Sequence, residues 1–301
     1  MIRKETNSAD LKDFKWPVTF KKVATAVAFS PTALAVMHEA IRIARKFGSH
    51  VYFIHAGKKT VENEKKLTEL LTRLKCNKEY YDVIWRDEAP TTAILNACEE
   101  FEIDLLIAGA LQRENFLQLY KGSVARKLCR KANCSLLLLT HPSVESKPCK
   151  KIIVNGLNHP KTNDTIRTAF YVANALSAEQ LLVAEEIDPD KVGIKCDDDL
   201  SLAKANRKKA NIARDEHHRF EQILNEIPLN EGLKVKEQCI FGKAGYSIGH
   251  YTRKNNADLL VMNSPDTKLG FFDRVFTHDL EFILSDLPTD LLLVHSTRKK
   301  K

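Results

Sequence analysis

Two pairs of apolar segments recur along the chain at one constant spacing, and this internal repeat constrains the fold more than any single motif. The repeated pairs are IDLLIAGA (103–110) with ADLLVMNS (257–264), and SLLLLTH (135–141) with DLLLVH (290–295). Asp104 corresponds to Asp258 and His141 to His295, each 154 residues later. Because two chance similarities would rarely share one register, we interpret the chain as two copies of one module.

The opening segments of the two copies match at a shorter spacing, which locates an insertion. KKVATAVAFSP (21–31) and KKIIVNGLNHP (150–160) lie 129 residues apart, and each gives a basic pair, an apolar run and a turn that ends in Pro. The two spacings, 154 and 129, differ by 25 residues. Apolar residues at helical spacing predict a helical insertion near 195–228 of the second copy. The acidic triplet 197–199 suits the first turn of that helix, where carboxylates meet the positive end of the dipole.

Each copy alternates short apolar runs with amphipathic segments. Runs that are apolar throughout and alternate with helices indicate a parallel sheet covered on both faces. We therefore predict an α/β fold of two tandem doubly wound domains, each with a Rossmann-like parallel sheet. The predicted boundaries are an N-terminal extension at 1–20, a first domain at 21–142, a linker at 143–149, a second domain at 150–296 and a basic tail at 297–301.

Composition restricts the environment that we expect for the chain. No apolar run approaches the 18 or so residues that a membrane span needs, and the first residues lack the apolar core of a secretory signal. Seven cysteines occur without any C-x-x-C pair, so we interpret them as reduced and mostly packed thiols. These features predict a cytoplasmic protein with no membrane partner.

The chain carries a formal net charge of +8 and an isoelectric point near 9.0, which could suggest nucleic acid as a partner. Much of the excess lies in the terminal RKKK run and in the lysines around 147–151, where a solvated tail and linker explain it. Aromatic residues do not interleave with the lysines, so stacking platforms for bases are missing. Nucleic acid is therefore an unlikely partner on this pattern, and salt-dependent gel shifts would test it.

A parallel sheet of this kind offers a ligand site at the carboxyl ends of its strands. In the first copy, the segment AGALQRENFLQLYKGSVARKL (108–128) leads from such a strand end to a helix that starts at Gly122 and Ser123. A Gly-Ser helix start can hold a phosphate through its free N–H groups, but it can equally be an ordinary helix cap. The residues alone leave both interpretations open.

The spacing G-x2-G-x9-G-[S/T] after a DLLIAG strand resembles the universal stress protein family, and both copies resemble it over nearly their whole length. The resemblance implies an adenine nucleotide alpha hydrolase-like fold in which some members bind ATP through an acidic residue after the first strand and through the glycine loop. It also implies that the two domains form a pseudo-dimer through the final strands SLLLLTH and DLLLVH, with a further homodimer possible.

Compared with the family pattern, the first copy keeps part of the nucleotide site. The resemblance places the possible ATP site of this copy at Gly109, Gln112, Gly122, Ser123 and Val124. Gln112 replaces the second glycine, and Ala28 stands where the acidic residue is usual. Loss of that carboxylate removes an acceptor worth about 1.5 to 3 kcal/mol. ATP binding in the first domain is therefore either weak or absent.

The second copy departs further from the pattern. The positions that match the glycine loop are Asn263, Asp266, Phe276 and Thr277. A carboxylate repels a phosphate, and a phenylalanine prevents the close approach of a backbone, so we expect no ATP there. The glycine-rich segment FGKAGYSIG (241–249) corresponds in this register to the loop before a helix, and it predicts a turn.

Catalytic and metal-binding patterns are weak in the sequence. His217 and His218 are neighbours on a helix and diverge, and the carboxylate pair Glu185–Glu186 suits a strand end better than general acid–base catalysis. Asp104 and Asp258 precede apolar strands, where they predict acceptors for neighbouring loop amides. We expect no metal and no catalytic residue.

These patterns favour a non-enzymatic universal stress protein with a regulatory or stress-response role. One alternative is an enzyme of the same fold, such as an ATP pyrophosphatase or an adenylyltransferase. Such an enzyme needs a Ser-Gly-Gly-x-Asp type of loop or a histidine pair near the first strand, and neither follows VATAVAF. The other alternative is the basic nucleic-acid-binding protein considered above.

Overall fold

The computed structural model describes residues 14–110, 123–195, 197–265 and 280–296. Ten strands form one sheet with the order β3-β2-β1-β4-β5-β10-β9-β6-β7-β8. Every neighbouring pair is parallel except β5 with β10, which is antiparallel. The strand order of the second half mirrors that of the first half. The predicted α/β fold of two doubly wound parallel half-sheets is confirmed.

The first half contributes five strands and four described helices. Its strands are β1 (Lys22–Ala26), β2 (His50–Ala56), β3 (Tyr81–Arg86), β4 (Leu105–Gly109) and β5 (Ser135–Leu139). Its helices are α1 (Ala33–Phe47), α2 (Val61–Leu74), α3 (Pro90–Glu100) and α4 (Ser123–Lys131), with a 3-10 turn at Lys78–Tyr80.

The second half repeats this order around a longer helix. Its strands are β6 (Lys151–Asn155), β7 (Gln180–Ile187), β8 (Lys234–Phe241), β9 (Leu259–Asn263) and β10 (Asp290–Val294). Its helices are α5 (Thr162–Leu176), α6 (Asp199–Asn225) and α7 (Tyr246–Lys254), with a 3-10 turn at Pro189–Lys191 and helical residues at 280–285. None of the helices in the described ranges could cross a membrane, because none is both long enough and apolar enough.

Both faces of the sheet are buried, because successive residues of a strand point to opposite sides. In β1, Val23 joins the core cluster on one face, whereas Ala24 joins the cluster on the other face. In β2, Phe53 and Ile54 likewise belong to the clusters on opposite faces. All four residues are fully buried. This burial on both faces explains why the strand sequences are apolar throughout.

The internal repeat is visible in the hydrogen bonds that precede the strands. Asp104 Oδ2 accepts the backbone amides of Lys21 and Lys22 at 2.9 Å, and Asp258 Oδ2 accepts those of Lys150 and Lys151 at 2.8 Å. The ammonium groups of Lys22 and Lys151 also donate to equivalent backbone carbonyls. The prediction that both aspartates accept loop amides is confirmed.

The two halves meet where β5 and β10 run antiparallel. Thr140 donates its amide and its hydroxyl to Asp290 Oδ1, at 2.7 and 2.8 Å. The amide of His295 donates to Ser135 Oγ at 3.0 Å. Each half therefore supplies side chains that satisfy the backbone of the other half, and one continuous sheet results.

The inserted segment contains helix α6, and its start follows from the acidic triplet. Asp198 is the N-cap, and its carboxylate accepts the amide of Ser201 at 2.6 Å, while Ser201 Oγ accepts the amide of Asp198 in return. This reciprocal capping box satisfies two donors at the helix start. The prediction of a helix start at the triplet is confirmed.

Candidate functional site

The carboxyl ends of the central strands form one edge in each half. In the first half this edge joins the ends of β1, β2 and β4, and in the second half it joins the ends of β6, β7 and β9. The strand order changes direction between β1 and β4, and again between β6 and β9, which is where such sheets bind ligands. The two edges are therefore equivalent candidate sites.

The described structure covers part of the predicted nucleotide site. Gly109 ends β4, and a Cβ atom there would lie 3.1 Å from Val36 Cγ2 of α1, so the strand end and the helix pack closely. Ser123 begins α4, and Val124 is partly buried against the core cluster on the α4 face. Gln112 and Gly122 lie outside the described residues. The contacts of a phosphate loop in this half therefore remain a prediction.

Of the four matching positions in the second half, the structure describes one. Asn263 ends β9 and is buried, and its Nδ2 donates to Thr162 Oγ1 at 3.1 Å. Asp266, Phe276 and Thr277 lie outside the described residues. The expected effect of those three side chains on a phosphate therefore also remains a prediction.

Aromatic side chains occupy the carboxyl end of β1 and β2, which the sequence patterns did not indicate. His55 is buried, and its Nδ1 lies 2.9 Å from the carbonyl oxygen of Val27. Because a carbonyl only accepts, Nδ1 carries the proton in this hydrogen bond. The rings of Phe29 and Trp85 contact the imidazole, with centroids 4.6 and 4.9 Å away. Ala28 is exposed beside this cluster.

The equivalent position of the second half holds an arginine from the inserted helix. Arg219 Nη2 lies 2.6 Å from the carbonyl oxygen of Gly156 and 2.5 Å from Glu185 Oε2. Its Nε also donates to Glu216 Oε2 at 2.7 Å. By strand register, Gly156 corresponds to Val27 and Glu185 to His55. A side chain from α6 therefore occupies the carboxyl end of β6 and β7.

The two carboxyl groups around Arg219 differ in protonation. Burial, followed by a hydrogen bond to Glu216, raises the pKa of Glu185 to about 8. The pKa of Glu216 is lowered by its hydrogen bonds to Glu185 and Arg219, against its own desolvation. Glu185 is the more buried side chain, at 6% exposed against 14% for Glu216, so we assign the shared proton to Glu185. One guanidinium and one shared proton thus neutralise most of the charge of the pair.

Glu186 binds backbone amides at the start of helix α7. Its carboxylate accepts the amide of Gly245 at 3.0 Å and that of Ile248 at 2.7 Å, and it therefore caps the N-terminus of α7. Gly245 adopts φ +76°, a left-handed conformation that glycine adopts readily. The predicted turn before a helix is confirmed for 242–245, whereas 246–249 already belong to α7 and Phe241 ends β8. The carboxylate pair lies at a strand end as predicted, and both residues are buried.

Other chemistry-bearing residues of the described chain have structural partners. His217 Nδ1 lies 2.6 Å from Glu237 Oε2, and this carboxylate raises the pKa of the imidazole. The described ranges contain no group of three or more His, Cys, Asp or Glu side chains that could hold a metal ion. Six cysteines lie in these ranges and all are free; burial raises the pKa of Cys129 to about 12. Such a thiol stays protonated and unreactive at neutral pH.

The model of the universal stress protein family matches residues 19–140. No curated protein sequence matches the chain.

Solved structures extend the likeness of fold to both halves. A universal stress protein from Archaeoglobus fulgidus aligns over 95% of this chain and 99% of its own, with a TM-score of 0.62 and 12% identity. A Pseudomonas aeruginosa protein described as a putative universal stress protein aligns over 91% and 93%, with a TM-score of 0.62 and 18% identity. The functionally unknown protein PA1789 from Pseudomonas aeruginosa aligns over 91% and 92%, with a TM-score of 0.59 and 17% identity. The second half therefore has the fold of a second universal stress domain.

Proposed function

We propose that this chain is a non-enzymatic universal stress protein with a regulatory role in the cytoplasm, and that its second domain has lost the nucleotide site. The observation that carries the proposal is Arg219, which binds Gly156 and Glu185 at the strand ends where a ligand would otherwise approach. A guanidinium held by two carboxylates and a carbonyl is not readily displaced by a nucleotide.

In the first domain we propose a weak ATP site or none. Ala28 offers no carboxylate, and the neighbouring Phe29 packs on His55. Gly109 ends β4 and Ser123 begins α4, and the free N–H groups at a helix start favour anions. This combination supports at most residual binding of a nucleotide phosphate.

Isothermal titration of the full chain with ATP and Mg²⁺ tests both parts of the proposal. We expect either no measurable heat of binding or one weak site, with a dissociation constant above about 10 µM. Binding tighter than that, or binding to two sites, would contradict the degenerate sites proposed here. A native mass measurement of protein purified from its host adds an independent check, because co-purified nucleotide would appear as extra mass.

A non-enzymatic role is tested with the same sample. After incubation with ATP and Mg²⁺, we expect no ADP, AMP or pyrophosphate above a no-protein control. Steady release of AMP and pyrophosphate would favour the pyrophosphatase or adenylyltransferase alternative.

A further inference from the structure

A cavity of about 260 Å³ lies between the two halves, beside the central strands of the sheet. Its apolar walls come from the four central strands and from α1 and α5, and linker residues Lys147, Pro148 and Cys149 line it as well. The apolar strand residues at this surface are Leu105, Leu137, Leu139, Leu259 and Leu292. Both halves are needed to form the cavity, because neither half alone supplies all of its walls.

This cavity is a pocket that is partly open to the surface, not a closed void of the core. An apolar cavity of roughly 150 Å³ already accommodates a molecule as large as benzene. The interdomain cavity, at about 260 Å³, therefore has room for a small ligand with an apolar body.

One part of the cavity wall is polar and carries more acidic than basic groups. Its carboxylates are Glu39, Asp258 and Asp290, its full cations are Arg42 and Lys147, and His141 also lines it. Two of the carboxylates already have charged or multiple partners, since Glu39 binds Arg42 at 2.6 Å and Asp258 accepts two backbone amides. Lys147 is exposed. Among the described residues, Asp290 accepts hydrogen bonds only from Thr140 and forms no ion pair.

Asp290 is bound in a way that leaves part of its carboxylate available. Both donors of Thr140 bind the same oxygen, Oδ1, at 2.7 and 2.8 Å. Burial raises the pKa of Asp290, while Thr140, His141 and Arg42 oppose that shift. A cationic group of a ligand next to Asp290 would favour the ionised carboxylate and so offset the cost of burying its charge.

We propose that the interdomain cavity is a binding site for a small amphiphilic amine. The apolar body lies against the leucines of the central strands, and the ammonium group lies against Asp290. The lining of the cavity contains none of the predicted nucleotide-site positions, so binding of the amine can be tested independently of ATP.

Binding of n-octylamine to the full chain at pH 7 tests the proposal by ligand-observed NMR and titration calorimetry. We expect saturable binding of n-octylamine with one site per chain, and weaker binding of n-octanoate, which has the same chain length and the opposite charge. Equal or tighter binding of n-octanoate, or no binding of n-octylamine, would overturn the proposal.

Two variants locate the ligand. Asp290→Asn keeps an acceptor for Thr140 and removes the charge, and it should weaken n-octylamine binding about tenfold. Asp286→Asn is the matched control, because Asp286 is an exposed partner of Arg253 on the same segment, with a side chain that is 76% exposed. Equal affinities of the two variants would overturn the role of Asp290.

Filling the cavity tests the position of the apolar body. Val172→Trp on α5 should abolish binding of n-octylamine, and Ile43→Phe on α1 provides a smaller change from the opposite wall. Far-UV circular dichroism establishes that each variant is folded before binding is measured. Unchanged affinity in both folded variants would place the ligand elsewhere and overturn the proposal.

Discussion

The carboxyl ends of β1 and β6 have equivalent backbone carbonyls, and the two halves satisfy them differently. In the first half, the carbonyl of Val27 accepts from His55, which belongs to the neighbouring strand β2. In the second half, the carbonyl of Gly156 accepts from Arg219, which comes from the inserted helix α6. The same fold therefore has a hydrogen bond between neighbouring strands in one half, and a hydrogen bond from the inserted helix in the other half.

This difference shows how a duplicated ligand edge can become a structural contact. His55 hydrogen-bonds within its own half, so the surface around Ala28 stays exposed. Glu185, at the position of His55, is a buried carboxyl group, and the negative charge that it shares with Glu216 requires a cation. Once Arg219 provides that cation, the helix is attached to the sheet and the edge is occupied. Under the proposed loss of the second nucleotide site, the insertion and that loss are one structural change.

The largest expected effect comes from removing the cation of the second half. Arg219→Ala leaves Glu185 and Glu216 without their guanidinium, and breaking a buried ion pair costs about 3 to 5 kcal/mol. We expect a loss of about 3 kcal/mol, near the lower limit, because the Arg219 side chain is 24% exposed. Urea denaturation at pH 7.5, followed by far-UV circular dichroism, measures this change.

Arg214→Ala is the matched control for that measurement. Arg214 lies on the same helix, is exposed, and donates to Asn211 within one turn. Its removal should change the free energy of unfolding by less than about 0.5 kcal/mol. If both alanine variants unfold at the same urea concentration, Arg219 does not hold α6 on the sheet.

The second prediction compares the two edges as nucleotide sites. Ala28→Asp restores a carboxylate acceptor next to an exposed edge and should raise the affinity of the first half for ATP about tenfold to hundredfold. Leu157→Asp makes the same change at the equivalent position of the second half, where Arg219 occupies the neighbouring strand ends. Titration calorimetry should detect a gain for Ala28→Asp only. A gain from Leu157→Asp would show that the second edge is still open.

Much of the fold could be predicted because it follows from regular patterns. The constant spacing of Asp104 and Asp258 locates both copies, and the same two residues bind loop amides at corresponding places. The acidic triplet 197–199 marks a helix start because its chemistry is local. Periodicity and capping depend on neighbouring residues, so a sequence displays them directly.

The candidate site could be predicted only in part, because its contacts join distant residues. Arg219 lies 34 residues from Glu185 and 63 from Gly156, and no local pattern links them. One signal was available: Glu216 and Arg219 are spaced for an ion pair on a helix that is otherwise mostly basic. The pair Glu185–Glu186 was placed correctly at a strand end, but its burial depends on an insertion whose docking the sequence does not specify.

The smallest predicted effect concerns the proton on Glu185. The folded pKa is raised to about 8, above the ordinary value of 4.5, so the folded chain binds a proton that the unfolded chain releases. Linkage then makes the wild-type chain lose stability as the pH rises from about 4.5 to 8, with no further loss from this group above pH 8. Glu216 has a lowered pKa and stays ionised throughout the range from pH 6 to about 9.

Glu185→Gln fixes the neutral form and isolates this contribution. The glutamine side chain would still offer an oxygen to Arg219, so the variant should become more stable relative to wild type by about 1 to 2 kcal/mol between pH 6 and roughly 9. His217, whose pKa is raised by Glu237, also titrates near this range, but it is present in both proteins and cancels in the difference. Urea denaturation at several pH values measures that difference. A constant difference across the range would mean that Glu185 is ionised in the folded chain, and that Arg219 faces two full carboxylates instead of a protonated pair.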